Sequence, residues 1–190
     1  MRIVFCGVGA LGSTAVYYCR NFDAQLVLID DDRVESKNLL AQSYVKQSIG
    51  KNKAQALRLQ LQNFFGVSTE AVGVRVTKQN VDTLLEKTDL VIDCFDNAES
   101  RILLSDFAKQ HGLDLLHAGI SADGTFGIVR WDEHFVVDQE DAPGQATCEG
   151  GEHLPLIGLV GATLARTIQD YMNHSQKANY MITLRGVVTQ

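Results

Sequence analysis

The sequence predicts an α/β domain, doubly wound and Rossmann-like around a mostly parallel sheet, with antiparallel strands at its C-terminal edge. Short apolar runs alternate with stretches of helical periodicity along most of the chain, the order that builds strand–helix–strand units covered on both faces. The first run, "RIVF", leads directly into the glycine-rich "CGVGALG" of Cys6 to Gly12. The second, "QLVLID", ends in the acidic run Asp30, Asp31, Asp32. No internal repeat or low-complexity tract interrupts the pattern, so residues 1–190 read as one domain.

In order, "RIVFCGV" is a strand and Ala10 to Arg20 a helix. Gln25 to Asp30 is a second strand. "GKNKAQALRLQLQNFF" is a helix in which Ala54, Leu57, Leu61, Phe64 and Phe65 share an apolar face. "TEAVGVRVT" alternates and reads as a third strand, and Asp89 to Cys94 is a fourth. Residues 98–111 form a helix, "LDLLHAG" and "TFGIVRW" strands, "PLIGLVGATLARTIQDYM" a long apolar helix and "NYMITLRGVV" one closing strand. The acidic, glycine-bearing stretch from Asp132 to Glu152 predicts a mobile loop over one end of the sheet.

With 45% hydrophobic and 21% charged residues the composition is that of a globular chain. A formal net charge of −6 argues against a nucleic-acid partner or an anionic membrane surface. No uncharged apolar run reaches the ~20 residues a bilayer demands. The N-terminus enters its first strand without the apolar leader of a secreted chain. Cys6, Cys19, Cys94 and Cys148 are scattered with no C-x-x-C pair, as expected of a reduced, cytoplasmic chain. Cys94 lies at the end of a strand and reads as core.

In such a fold the ligand lies beyond the carboxyl ends of the strands, where strand order reverses. Gly7 permits the tight turn, Gly9 lets backbone approach a phosphate, and Gly12 lets the next helix pack on its strand. The amides of Ala10 and Leu11 open that helix toward an anion. Asp30 stands at the spacing of an acid that bonds ribose. These residues fit a dinucleotide or a nucleoside triphosphate equally. His111, His117, His134, His153 and His174 are scattered, suggest no histidine–carboxylate pair, and read as surface or structural residues.

Three more clusters follow: "DDDRVESKNLLAQ", "IGKNKA" and "DCFDNAESR". Taken with the glycine turn, they resemble the ThiF/MoeB/HesA family, the bacterial relatives of ubiquitin-activating enzymes. The matching positions are Gly7, Gly9, Gly12, Asp30, Asp32, Val34, Asn38, Leu39, Gln42, Gly50, Lys53, Asp93, Asp96, Asn97 and Arg101. The later "TCEGGEHLPLIGLVGATLA" resembles the family segment in which a cysteine precedes an apolar helix.

The resemblance implies an ATP-dependent adenylyltransferase acting on the C-terminal glycine of a small β-grasp sulfur-carrier or ubiquitin-like protein. It implies Lys53 and Asn38 on the phosphates, Asp96 on Mg²⁺, Asp30 on the ribose, and Asp32, Gln42, Asn97 and Arg101 in the same site. It also implies a homodimer. Cys148 aligns with a cysteine that some members use covalently, and stands here either as a catalytic or as an incidental residue.

Three departures accompany the resemblance. Ala41 stands where the family carries an arginine, the family's N-terminal helix does not precede the first strand, and the paired zinc cysteines are missing, so no zinc is expected. A non-catalytic nucleotide-binding subunit and, from the glycine turn alone, an NAD-dependent oxidoreductase are the alternative readings.

Overall fold

Arg2–Cys6 forms β1, in which Ile3, Val4, Phe5 and Cys6 are fully buried; a run without alternation suits a strand covered on both faces. In the computed structural model, which describes residues 1–136 and 151–190, β1 lies inside an eight-stranded sheet. The elements that follow are α1 (Ala10–Cys19), β2 (Gln25–Ile29), α2 (Lys53–Phe65), β3 (Glu70–Val72), α3 (Val81–Leu84) and β4 (Leu90–Asp93). Then come α4 (Ala98–His111), β5 (Asp114–Ile120), β6 (Phe126–Trp131), α5 (Leu154–His174), β7 (Tyr180–Thr183) and β8 (Gly186–Thr189).

The strand order is β3-β2-β1-β4-β5-β6-β7-β8. Strands β1 to β5 pair in parallel, and β5–β6, β6–β7 and β7–β8 are antiparallel. This is the predicted architecture. The chain winds outward from β1 to β3, then crosses to β4 on the other side of β1. Loops leaving β1 and β4 therefore diverge and open a crevice between them. Helices α1, α2 and α5 pack on one face with Ile3, Phe5 and Leu28, while α3 and α4 pack on the other with Val4, Cys6 and Val27.

Several elements differ from expectation. The third strand keeps only Glu70–Val72, because the chain leaves the sheet at Gly73, where a Cβ would meet the Asn52 side chain at 2.9 Å. The expected single closing strand is a hairpin, with Thr183 paired to Gly186. On α2, Ala54, Leu57 and Leu61 are buried as expected, but Phe64 and Phe65 are 60% and 45% exposed. The helix has run past the sheet there; Phe65 meets Tyr17 edge-on and lies under the Arg20 guanidinium. Helix α5 turns Ile157, Val160, Leu164 and Ile168 into the core. Its Gly161 sits so close to α1 that a Cβ would lie 2.8 Å from Thr14, so most of its apolar face is used within the domain. Within the span read as a mobile loop, Asp132–His134 is a 3-10 turn, while residues 137–150 lie outside the described residues.

The end of α5 is tied to β5 by Lys177, whose ammonium lies 2.5 Å from Asp114 and 2.7 Å from Glu133 and stacks on Trp131. Burial pushes the Asp114 and Glu133 carboxyls up, but Lys177, joined at Asp114 by the Tyr171 hydroxyl, outweighs it and holds both below their usual range. The Lys177 ammonium is correspondingly raised. Depressed carboxylates stabilise above their unfolded values and lose that contribution as pH falls through the depressed ones; the raised ammonium stabilises until pH passes its own. Lys177→Met is expected to cost no more than about 1 kcal/mol at pH 7, since the groups are half-exposed. The deficit should shrink below a pH of roughly 4, which urea melts at pH 7 and pH 3 would measure.

Candidate functional site

The glycine turn occupies the crevice between β1 and β4. Gly7 adopts φ +87°, and a Cβ there would lie 2.9 Å from the Cys94 carbonyl oxygen. At Gly12 a Cβ would fall 2.1 Å from the Gly7 oxygen, so only glycine lets α1 start this close to β1. Gly9 differs. A Cβ there would meet no atom within 4 Å, so it faces open space in the crevice. Gly9 is also the N-cap of α1 and has no side chain to satisfy the first helical amides. Those amides and the positive end of the helix dipole are free for an anion.

Asp30 follows β2 directly and is buried. Its Oδ2 accepts the Val8 N–H at 2.8 Å and its Oδ1 the Asp32 N–H at 2.9 Å. Burial raises the Asp30 carboxyl above the usual carboxylate range, against the pull of those amides and of Lys53. Asn52 locks the neighbouring segment: its Nδ2 donates to the Asp30 carbonyl at 2.7 Å and to the Asp32 carbonyl at 3.1 Å, while its Oδ1 caps α2 at Gln55. Lys53, the first residue of α2, is thereby held over the crevice with its stem buried. Its Nζ lies 2.9 Å from Asp32 Oδ2. Asp32 itself is two-thirds exposed, so this pair is weakly bound on one side.

Across the crevice runs the turn from β4 to α4. Asn97 caps α4, its Oδ1 accepting the Ser100 N–H at 2.9 Å. Asp96 is exposed beside it and makes no ion pair among the described residues. Behind the turn, Asp93 Oδ1 accepts the Phe95 N–H at 2.9 Å. Asp93 Oδ2 faces His117 Nδ1 at 2.7 Å, and His117 Nε2 faces Asp132 Oδ1 at 3.0 Å. His117 and Asp93 are fully buried. The Phe135 ring stacks on His117 at 3.9 Å, and the Arg101 guanidinium lies 5.5 Å from the centre of the Phe135 ring. Arg101 also donates through Nε to the Phe95 carbonyl at 2.8 Å and through Nη2 to the Ala118 carbonyl at 3.0 Å.

These elements enclose a cavity of about 200 Å³ whose lining includes Gly7, Gly9, Asp30, Asp32, Lys53, Asp96 and Asn97. Of the residues expected in the site, those seven are brought together. Ala10, Leu11 and Gly12 stand at the start of α1 and bring backbone rather than side chain. Asn38 does not line the cavity: it is buried on a 3-10 turn, where its Oδ1 accepts the Glu35 N–H at 2.8 Å. Gln42 is likewise outside the lining, its Oε1 buried with no partner among the described residues. Arg101 braces the turn from behind. Cys148 lies outside the described residues.

Sequence reasoning missed five lining residues, the first of them Asp31, which it read only as part of an acidic run. Arg75 approaches from the loop after β3, and Cys94, Phe95 and Ser100 from the β4–α4 turn. Cys94, read as core, is half-buried and borders the cavity; burial pushes its thiol up. The reading that no histidine is paired with a carboxylate is corrected by His117, which has two partners. An isolated histidine inside the apolar "LDLLHAG" was the available signal, since a buried imidazole needs partners.

The lining carries four carboxylates, Asp30, Asp31, Asp32 and Asp96, against the cations Lys53 and Arg75. One oxygen from each of Asp30, Asp31 and Asp32 lies within 4.8 Å of the others. Through Arg75 and Ser100 the cleft borders a larger groove of about 790 Å³ between the β3–α3 loop and α4.

Known proteins resemble this chain in sequence and in fold. The chain is 35% identical over 122 residues to the SAMP-activating enzyme E1 of Haloferax volcanii, covering 63% of this chain and 45% of that protein. It is 31% identical over 175 residues to the adenylyltransferase and sulfurtransferase UBA4 of Lodderomyces elongisporus, covering 86% and 38%. The chain thus spans less than half the length of these curated relatives. Among solved structures, E. coli MccB with AMPCPP and MccA superposes with a TM-score of 0.80 at 12% identity, over all of this chain and 63% of that one. PaaA superposes with a TM-score of 0.76 at 14% identity, over all of this chain and 62% of that one; both likenesses concern the fold. The model of the ThiF family matches residues 1–185. On that match, and with the glycine turn, Asp30, Lys53 and Asp96 gathered at one crevice, the chain belongs to the ThiF family.

Proposed function

We propose that this chain is an ATP-dependent adenylyltransferase that activates the C-terminal carboxylate of a small β-grasp carrier protein ending in Gly-Gly. The observation that carries this reading is the meeting of the Gly9 turn, Asp30, Lys53 and Asp96 on one cleft at the strand-order reversal. Relatives named as an adenylyltransferase and as a SAMP-activating enzyme support it. In this reaction a carboxylate oxygen of the carrier attacks the α-phosphorus of ATP. The bond from that phosphorus to the pyrophosphate oxygen breaks, leaving an acyl-adenylate and pyrophosphate. Negative charge grows on the non-bridging oxygens, so donors fixed there favour the transition state over the ground state.

The Lys53 ammonium is proposed to supply one such donor by exchanging Asp32 for phosphate, a step made easy by the exposure of Asp32. The first amides of α1 supply others. Asp30 retains acceptor capacity after its two backbone bonds and is assigned the ribose hydroxyls. The base is assigned to the groove beyond Arg75. Four carboxylates facing two cations would repel a triphosphate by themselves, which favours a divalent cation in the reacting complex. Asp96, with no ion pair among the described residues, is the assigned ligand. When bound there, Mg²⁺ supplies charge neutralisation between the phosphates.

A second reading, a nucleotide-binding subunit that turns over only beside a partner, is favoured by Ala41. It is buried in the core, where the family carries an arginine, and among the described residues Arg75 is the cation besides Lys53 that lines the cleft. Sulfur transfer, thiamine- or molybdopterin-type synthesis and a homodimer are finer proposals, the first resting on Cys148. Hydride transfer is not favoured, since the buried histidine–carboxylate network of His117 lies behind the β4–α4 turn and His111 meets Asp82 at the surface.

Exchange of labelled pyrophosphate into ATP tests the proposal. Exchange is expected only with a Gly-Gly-tailed carrier present and should vanish with EDTA. A carrier truncated by its last two residues should give none. Binding of Mg·ATP without exchange, restored by a second subunit, supports the second reading. Stabilisation by NAD but not by Mg·ATP in a melting assay overturns both.

A further inference from the structure

We propose that Tyr44 is a positioning residue, whose hydroxyl fixes the Val8–Gly9 peptide so that the Gly9 N–H is presented to a phosphate in the cleft. The inference rests on the reading of the cleft as a nucleotide site. Its warrant is a hydrogen bond: the Tyr44 hydroxyl donates to the Val8 carbonyl at 2.5 Å, in buried surroundings. That is the one bond this hydroxyl makes among the described residues. Burial pushes the phenol well up, so it remains a donor across the working pH range.

The peptide unit translates this contact to the cleft. In a planar trans amide the C=O and the N–H of the next residue point in opposite directions; the chain contains no cis peptide bond among the described residues. The Val8 carbonyl points to Tyr44, within the core shared by α1 and α2. The Gly9 N–H therefore points away from that core. Gly9 lines the cleft, and a Cβ on it would meet no atom within 4 Å. No hydrogen bond among the described residues uses the Gly9 N–H. The preceding amide is fixed as well, since the Val8 N–H is held by Asp30. Val8 is thus bonded at both ends, and the donor that follows it is aimed and unused.

Tyr44 is placed firmly enough to do this. It is 7% exposed, and both of its neighbours are pinned. The Ser43 N–H donates to Ser13 Oγ at 3.0 Å and the Ser43 carbonyl accepts from Gln60 at 3.0 Å, while the Val45 N–H donates to Gln60 at 3.3 Å. A phenylalanine would fill the same core volume and remove only the bond to Val8. The hydroxyl therefore has a consequence at the cleft and little elsewhere.

Tyr44→Phe tests this in the full chain, with Mg·ATP, magnesium pyrophosphate and adenosine as titrants. Affinity for the two phosphate-bearing probes is expected to fall about three- to tenfold, the range of one hydrogen bond. Affinity for adenosine should not change, and the melting temperature should drop by only a few degrees. In amide NMR spectra of the unmodified chain, pyrophosphate should shift the Gly9 resonance, and in the variant that shift should diminish. Unchanged phosphate affinity in the variant, or an equal loss for adenosine, overturns the inference while leaving the cleft's assignment standing. So does a Gly9 resonance in the unmodified chain that ignores pyrophosphate, a result that needs no variant. If the unmodified chain binds none of the three probes, the nucleotide reading itself has failed.

Discussion

Lys53→Met is expected to lower carrier-dependent pyrophosphate exchange by about 10²- to 10³-fold, the loss seen when one preorganised donor to a developing oxyanion is removed. Methionine keeps the buried stem of the lysine and removes only its charge. The ion pair lost with it has one partner two-thirds exposed, so stability should change by less than about 1 kcal/mol. That asymmetry makes the result decisive. A fold of near-normal stability with exchange within threefold of normal would show that Lys53 does not touch the reacting phosphate. Asp32→Asn would free the ammonium from its present partner, and separates restraint of Lys53 from its contact with ATP.

The second large effect concerns stability. His117→Leu should destabilise the fold by about 3–5 kcal/mol, the cost of breaking a buried charged network on one side. Both ring nitrogens face carboxylate oxygens, at 2.7 Å and 3.0 Å, and a proton must lie on each of those lines. Leucine removes both ring nitrogens and leaves Asp93 fully buried with the Arg101 guanidinium 3.7 Å away. Asp132 would retain Lys109 at 3.3 Å, so Asp93 should carry most of the cost. Urea denaturation of His117→Leu and of the double variant with Asp93→Asn measures this. The double variant should recover part of the loss, and a single variant within 1 kcal/mol of the parent would refute the account.

Parts of this molecule were legible along the chain. The glycine turn was legible because each of its constraints acts between neighbours: a positive φ at Gly7 and a contact across five residues at Gly12. Asn97 stands directly before the helical stretch that begins at Ala98, and its side chain caps α4 there. The parallel sheet followed from uninterrupted apolar runs, since a strand buried twice has no polar face to show.

Other parts were not legible. Phe64 and Phe65 fit the helical period, but whether a residue on that face is buried depends on where the sheet ends. Asn38 fits its motif yet is spent on a local turn. Arg75 carries no motif and reaches the cleft because the loop after β3 folds back toward α4.

The order of elements and the anion-binding character of the first turn are consequences of short-range rules, in which period, glycine and cap act within a few residues and so are written in consecutive letters. Which side chains share the cleft, and that Tyr44 reaches Val8 or His117 joins Asp93 to Asp132, depends on packing between segments far apart in the chain. Those distances are set by strand order and by how helices seat on the sheet, and one string of residues is compatible with many such arrangements until burial selects among them.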